Sequence, residues 1–231
     1  FRQAEESRII VSAHQINQGE MPEIRKNTGD LFFLRRKAGE DAVQTIIDLC
    51  TTRLPKKMGI SPEEIQELTP TRVGITGTQN LNQQLQAALN PPVAEKPERQ
   101  YGSGVFRQGD RVMQVRNNYD LIWRKPDGEE GAGVYNGDVG HIRSIDTAAQ
   151  SLIVDFEDRS AEYTFDLLGE LEPAYAITVH KSQGSEYRAV LLCAVGLPQQ
   201  LMYRGVLYTA VTRARELLIA VGDENVVNQM I

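Results

Sequence analysis

Ala174-Tyr-Ala-Ile-Thr-Val-His-Lys-Ser-Gln-Gly-Ser-Glu-Tyr-Arg188 runs into the apolar stretch Ala189-Val-Leu-Leu-Cys-Ala-Val195, and Tyr208-Thr-Ala-Val-Thr-Arg-Ala-Arg215 follows. The first segment reads as a helix entering a polar turn near His180, the second as a buried strand. A helix over 199–213 and a strand over 216–221 come next. Such alternation predicts a parallel sheet with helices on its faces. Polar side chains crowd the turn, where they can reach phosphate, sugar or base edges, and Gly184 lets the backbone come close. A polar helix terminus that merely turns into a strand is the plainer alternative.

Towards the N-terminus the same rhythm holds. Ala4, Ile9, Ile10, Ala13 and Ile16 recur at helical spacing from about Gln3 to Gln18, with Gly19 and Pro22 as the stop. Residues 30–35 predict a buried strand, 41–53 a helix, 65–70 a short strand, and Gly77-Thr78 the start of a helix that Asn90-Pro91-Pro92 breaks. Beyond Pro92 the pattern changes to short alternating segments at 111–115, 140–145, 151–156 and 161–165, set apart by turn signals such as Asn136-Gly137-Asp138. A small β-barrel inserted into an α/β domain is therefore expected: 1–102 and 171–231 form the α/β part, and 103–170 the barrel.

Composition sets outer bounds. With 231 residues, 41% hydrophobic and 24% charged, the chain is ordinary globular material. Its net charge of −6 argues against a small passive DNA-binding domain, which needs a basic face. It does not exclude an enzyme that grips a few nucleotides in a groove. Cys50 and Cys193 sit in apolar runs without a CxxC partner and suit reduced core thiols of an intracellular, cytoplasmic protein. No long apolar run or leader predicts a membrane association. His14 and His141 lack neighbouring ligands, so no metal site is expected on this chain. The opening Phe1-Arg2-Gln3, without an initiating methionine, suggests a piece of a longer protein.

Three further constellations carry chemistry. Arg213 follows an apolar helical stretch among small residues, and a guanidinium held rigidly there can stabilise charge on a transferring γ-phosphoryl group. An arginine pairing with the helix C-terminal dipole is the plainer alternative. Thr69-Pro70-Thr71, with Gly74, Gly77, Thr78 and Asn82, reads as a strand end, a loop and a helix start, which offers N–H groups to an anion. It is not a Walker A loop, and no Gly-x-x-x-x-Gly-Lys-Ser/Thr occurs in the chain. Glu186, two residues past Gly184, could accept a hydrogen bond from a ribose hydroxyl. Leu152-Ile-Val-Asp155 superficially resembles a metal-binding acid after a strand, but its alternation marks a barrel strand. Tyr119 and Trp123 suit either base stacking or hairpin packing.

Taken together, Phe1-Arg2-Gln3-Ala4, Ala13-His14-x-Ile16-Asn17-x-Gly19, Leu68-Thr-Pro70, Gly77-Thr78-x-x-Leu81-Asn82, Asn117-Asn118-Tyr119-Asp120, Asn136-Gly137-Asp138-x-Gly140, 178–186 and 208–215 resemble the C-terminal motor half of RecD-like superfamily 1 DNA helicases. The likeness covers nearly the whole chain in the family's order. It implies a RecA-like domain carrying an SH3-like insertion, ATP with Mg2+ as cofactor, and single-stranded DNA as partner. Movement is implied to run 5′ to 3′. By the same resemblance Arg2 and Arg213 are catalytic arginines of motifs IV and VI, and Arg2, Gln3, Gly184, Glu186 and Arg213 contact nucleotide. Thr69, Pro70, Thr78, Asn82, Thr178, His180, Lys181, Ser182 and Gln183 are implied to contact DNA. The P-loop, the magnesium ligands and the first RecA-like domain are absent from this chain, which is expected to be inactive alone and to pair with that domain. Other repair or recombination proteins are further implied partners. The segment 123–133 is longer than the family's usual link. A non-catalytic single-strand or protein-binding module, and an RNA helicase sharing the same core, stand as the alternatives.

Overall fold

The computed structural model describes residues 7–231. Helix α1 (Arg8–Gln18) leads into β1 (Leu31–Arg35), then α2 (Gly39–Asp48), which passes through a π-helical turn (Leu49–Arg53) into α3 (Leu54–Met58). Strand β2 (Ile65–Thr69) and helix α4 (Thr78–Leu89) follow. Nine strands come next: β3 (Glu98–Tyr101), β4 (Gly104–Arg107), β5 (Arg111–Gln114), β6 (Asn118–Arg124), β7 (Glu130–Val134), β8 (Val139–Asp146), β9 (Ser151–Asp155), β10 (Ser160–Thr164) and β11 (Leu171–Pro173). The chain closes with β12 (Ala176–Thr178), β13 (Tyr187–Ala194), α5 (Arg204–Val211), β14 (Ala214–Gly222) and α6 (Glu224–Met230).

It divides into two units. The first takes residues up to Gln84 and from Ala176 onward, and the second takes Leu85–Tyr175. In the first, five parallel strands lie in the order β1-β14-β13-β2-β12. Ala189 to Val195 are all 4% exposed or less, because a central strand of a parallel sheet is covered on both faces and must be apolar throughout. Full burial of Leu191 or Leu192 is worth about 2 kcal/mol each. Right-handed crossovers fix the layering. The β13-to-β14 connection through α5 packs beside α1, while the β1-to-β2 connection through α2 takes the opposite face. Asp30 anchors the start of α1: its carboxylate accepts from the backbone N–H of Arg8 (2.9 Å) and from the Ser7 hydroxyl (2.5 Å).

The second unit is an antiparallel sheet in the order β11-β5-β8-β9-β10-β6-β7 with a separate β3–β4 hairpin. Leu171 of β11 and Val134 of β7, at opposite ends of that order, share one core with Val112, Ile142, Val154 and Tyr163. The sheet therefore curls on itself into a small barrel. Asp110, 1% exposed, braces it by accepting from Asn90 Nδ2, Gln86 Nε2, the Arg107 N–H and the Tyr175 hydroxyl.

The expected parallel sheet with an inserted β-barrel is thus observed. Ser151–Asp155 is a barrel strand, as its alternation indicated. Some elements differ. The helix expected before His180 is absent; β11 and β12 occupy that stretch, because Ala176-Ile-Thr-Val179 buries every side chain. The helix expected over 199–213 is only α5, preceded by a short 3-10 turn at Gln199–Leu201. Strand β7, Glu-Gly-Ala-Gly-Val, lacks the alternation that would announce it. Gly131 is there because the Trp123 ring lies against it: a Cβ would sit 2.3 Å from Cζ2.

Candidate nucleic-acid interface

Two loops leave the carboxyl edge of the parallel sheet side by side. Thr178 is in register with Thr69, and the Val179 N–H donates to the Thr69 carbonyl at 3.1 Å. The first loop, 70–77, is held from within. Thr69 Oγ1 donates to the Thr76 carbonyl (2.8 Å), and Thr76 Oγ1 donates to that of Val195 (3.1 Å). Gly77 is required by close approach, since a Cβ would fall 2.5 Å from the Val73 carbonyl oxygen. Thr78 is half-buried at the first turn of α4, while Arg72, Val73 and Ile75 are exposed around it.

The second loop starts as a 3-10 turn, His180–Ser182, and lies along α5. At the start of the helix His180 Nε2 is 3.1 Å from the Tyr203 hydroxyl. At its end Arg213 Nη1 donates to the Ser185 carbonyl (2.9 Å), and the Tyr187 N–H donates to the Arg213 carbonyl (2.8 Å). Between these ties lie the 8 residues of α5, roughly 12 Å at a rise of 1.5 Å per residue. His180, Gln183, Gly184 and Glu186 are exposed, and Lys181 is half-buried. Gly184 has φ +85° with open space around it, so its glycine serves the left-handed backbone rather than a tight contact.

The residues singled out from sequence fall into distinct settings. Thr69 and Ser182 are fully buried, and Ser182 Oγ donates to the Val179 carbonyl at 2.6 Å. Their hydroxyls serve as internal braces of the two loops. Asn82 is likewise 8% exposed and clamps Ala176 from both sides, Nδ2 to its carbonyl (2.8 Å) and Oδ1 from its N–H (2.9 Å). Pro70 is buried, and Thr178 is 9% exposed with Oγ1 accepting from the Lys181 N–H. His180, Lys181, Gln183 and Thr78 keep surface. Arg2 and Gln3 lie outside the described residues. Tyr203 was not singled out, because nothing in its own sequence context marks it; only folding brings it to His180.

Arg213 is half-buried, with Nε donated to the Thr209 carbonyl (3.2 Å) and Nη2 to Thr212 Oγ1 (3.1 Å) besides the Ser185 tie. Of five N–H donors three are thus used among the described residues, which leaves one on each terminal nitrogen. Beneath this face, on β2, Glu67 is 1% exposed and neither carboxyl oxygen has a hydrogen-bond partner among the described residues. Burial pushes its pKa well above the ordinary 4.5. Cys193 is also pushed upward, by burial.

Comparison with known proteins gives the family. Residues 81–156 match the ATP-dependent RecD-like DNA helicase SH3 domain, and residues 173–221 the UvrD-like helicase C-terminal domain. The ATP-dependent RecD2 DNA helicase of Deinococcus radiodurans is 32% identical over 223 residues, which cover 96% of this chain and 28% of that protein. The RecD subunit of the RecBCD enzyme from Mycobacterium tuberculosis is 29% identical over 162 residues, 70% of this chain and 25% of that one. The chain therefore spans about a quarter of the length of these relatives. The fold is similar to that of the Pif1 helicase from Candida albicans (TM-score 0.53, 16% identity, 100% of this chain and 56% of that one). Bacteroides Pif1 bound to single-stranded DNA is alike too (TM-score 0.52, 16% identity, 95% and 50%). With a RecA-like parallel sheet and an SH3-like insertion in the same order as these matches, the chain belongs to the RecD-like helicase family and corresponds to its C-terminal motor portion.

Proposed function

We propose that this chain is the strand-gripping, arginine-supplying part of an ATP-dependent DNA translocase that unwinds duplex DNA, moving 5′ to 3′. The observation that carries the reading is the loop 180–185 tied to both ends of α5, at Tyr203 and at Arg213. One end offers His180, Lys181 and Gln183 to a strand; the other offers two guanidinium N–H groups to a phosphate. A displacement at either end is transmitted through a short packed helix to the other, which is what coupling hydrolysis to stepping requires.

ATP supplies the free energy of γ-phosphoryl hydrolysis when bound, with its P-loop and Mg2+ ligands on a first RecA-like domain of the full-length protein. Toward it Arg213 would place charge against the γ-phosphate, joined by Arg2, while Gln3, Gly184 and Glu186 border the nucleotide. Thr78, His180, Lys181 and Gln183 form the strand face, and Thr69, Pro70, Asn82, Thr178 and Ser182 set its shape from beneath. Other repair or recombination proteins and a cytoplasmic setting fit a DNA motor. Among the described residues no helix is long and apolar enough to cross a membrane.

The test is ATP hydrolysis by the full-length protein and by this chain alone, each with and without single-stranded DNA. Turnover stimulated by the strand in the full-length protein, and none in the chain alone, is expected. Full-length protein that binds the strand but hydrolyses no ATP would instead favour a passive binding module.

A further inference from the structure

Tyr203 is an odd residue for its place. It occupies the position just before α5, where Ser, Thr, Asp or Asn would accept a hydrogen bond from the helix, and its side chain makes no such bond. Its backbone does that work alone: extended at φ −143° and ψ 156°, it accepts from the Val206 N–H at 3.1 Å. The residue stays 45% exposed, so core packing does not account for it. Two contacts nevertheless fix it. The hydroxyl meets His180 Nε2 at 3.1 Å, and one side of the ring lies beside Gly205, where a Cβ would be 3.3 Å from Cε2 and 3.5 Å from Cδ2.

An exposed aromatic ring pinned at its tip and flanked by a glycine has little rotamer freedom left to lose. Beside it stand His180, Lys181 and Gln183, the hydrogen-bonding groups of the loop. We infer that Tyr203 is a base-stacking platform, extending the strand face from the loop onto α5, and that His180 holds the ring at the angle a base requires. This rests on the strand-binding reading above and adds to it a contact of a different kind. Stacking on a π-face tolerates any base, which suits a strand that must slide.

The experiment measures binding of a short fluorescent oligothymidylate to the full-length protein. Tyr203→Ala should weaken it at least about five-fold, the lower end of what one lost base stack costs. Tyr203→Phe and Tyr203→Trp, which keep a ring but lose the hydroxyl that His180 holds, should fall between the parent and Tyr203→Ala. On the same strand made with abasic sites, the parent and Tyr203→Ala should bind alike. Unchanged binding by Tyr203→Ala while Lys181→Ala is weakened would overturn the platform and leave the strand face standing. Unchanged binding by both would remove the strand face itself. A Tyr203→Phe defect as large as that of Tyr203→Ala would show that only the hydroxyl matters and would also overturn it.

Discussion

Arg213 Nη1 donates to the carbonyl oxygen of Ser185 at 2.9 Å, so the arginine after α5 is bonded to the loop that leads into β13. The plainer alternative for that residue is met in part, through the bond to its own helix end. A surface arginine paired with its own helix end would bond only the last carbonyls; Arg213 does so through Thr209, and then reaches 28 residues back as well. Two of its N–H groups are without a partner among the described residues.

Replacing it tests both halves of that arrangement. Arg213→Ala in the full-length protein should lower strand-stimulated ATP hydrolysis by about 10³-fold or more, the scale of a lost arginine finger, while strand affinity stays within a few-fold. Arg213→Lys should rescue little, because an ammonium cannot hold the Ser185 carbonyl and present a planar pair of donors together. Steady-state turnover at saturating ATP checks both, and near-normal turnover in Arg213→Ala would remove the residue from its role.

Lys181 and Gln183 should act on the other side. Changing both to Ala should weaken single-strand binding and blunt the stimulation of hydrolysis, without altering the basal rate. If Lys181 contacts one phosphate, its loss alone should reduce the slope of log affinity against log salt by about 0.7. Titrations at several salt concentrations give that slope directly.

The residues beneath the face should respond differently from those on it. Asn82 holds the backbone of Ala176 with two bonds in a buried setting, and Asn82→Ala leaves both partners unsatisfied. A loss of about 2 to 4 kcal/mol in unfolding free energy is expected, on the usual cost of one to a few kcal/mol per orphaned buried group. Chemical denaturation of this chain measures it. A drop in strand affinity with full stability retained would return Asn82 to the strand face.

How far these roles could be read beforehand depended on what kind of signal each left. The continuous apolar run at 189–195 and the alternation at 140–165 announced the parallel sheet and the barrel, because burial on two faces or one dictates those patterns. Residue types also marked the loop 178–186 and Arg213. Burial did not show: Thr69, Asn82 and Ser182 are polar and sit among functional neighbours, yet their hydrogen bonds point inward to backbone groups brought near only by folding. Tyr203 failed to register for the converse reason, since its partner is 23 residues away.

Glu67 offers the last prediction. Its neighbours in register are Ala176 and Leu191, and no donor among the described residues reaches its carboxyl group, so the folded chain keeps it protonated. In the unfolded chain the same group ionises near 4.5. Between that pH and the much higher folded pKa the folded state holds one more proton than the unfolded state. Stability attributable to Glu67 therefore falls as pH rises, by about 1.4 kcal/mol per pH unit, until the buried group ionises too. Glu67→Val removes the titration and suits a central parallel strand. The variant should be more stable than the parent at pH 8 and closer to it at pH 5, in thermal unfolding of this chain. A difference between the two proteins that stays constant with pH would mean that Glu67 is ionised, or hydrogen-bonded, in the folded state.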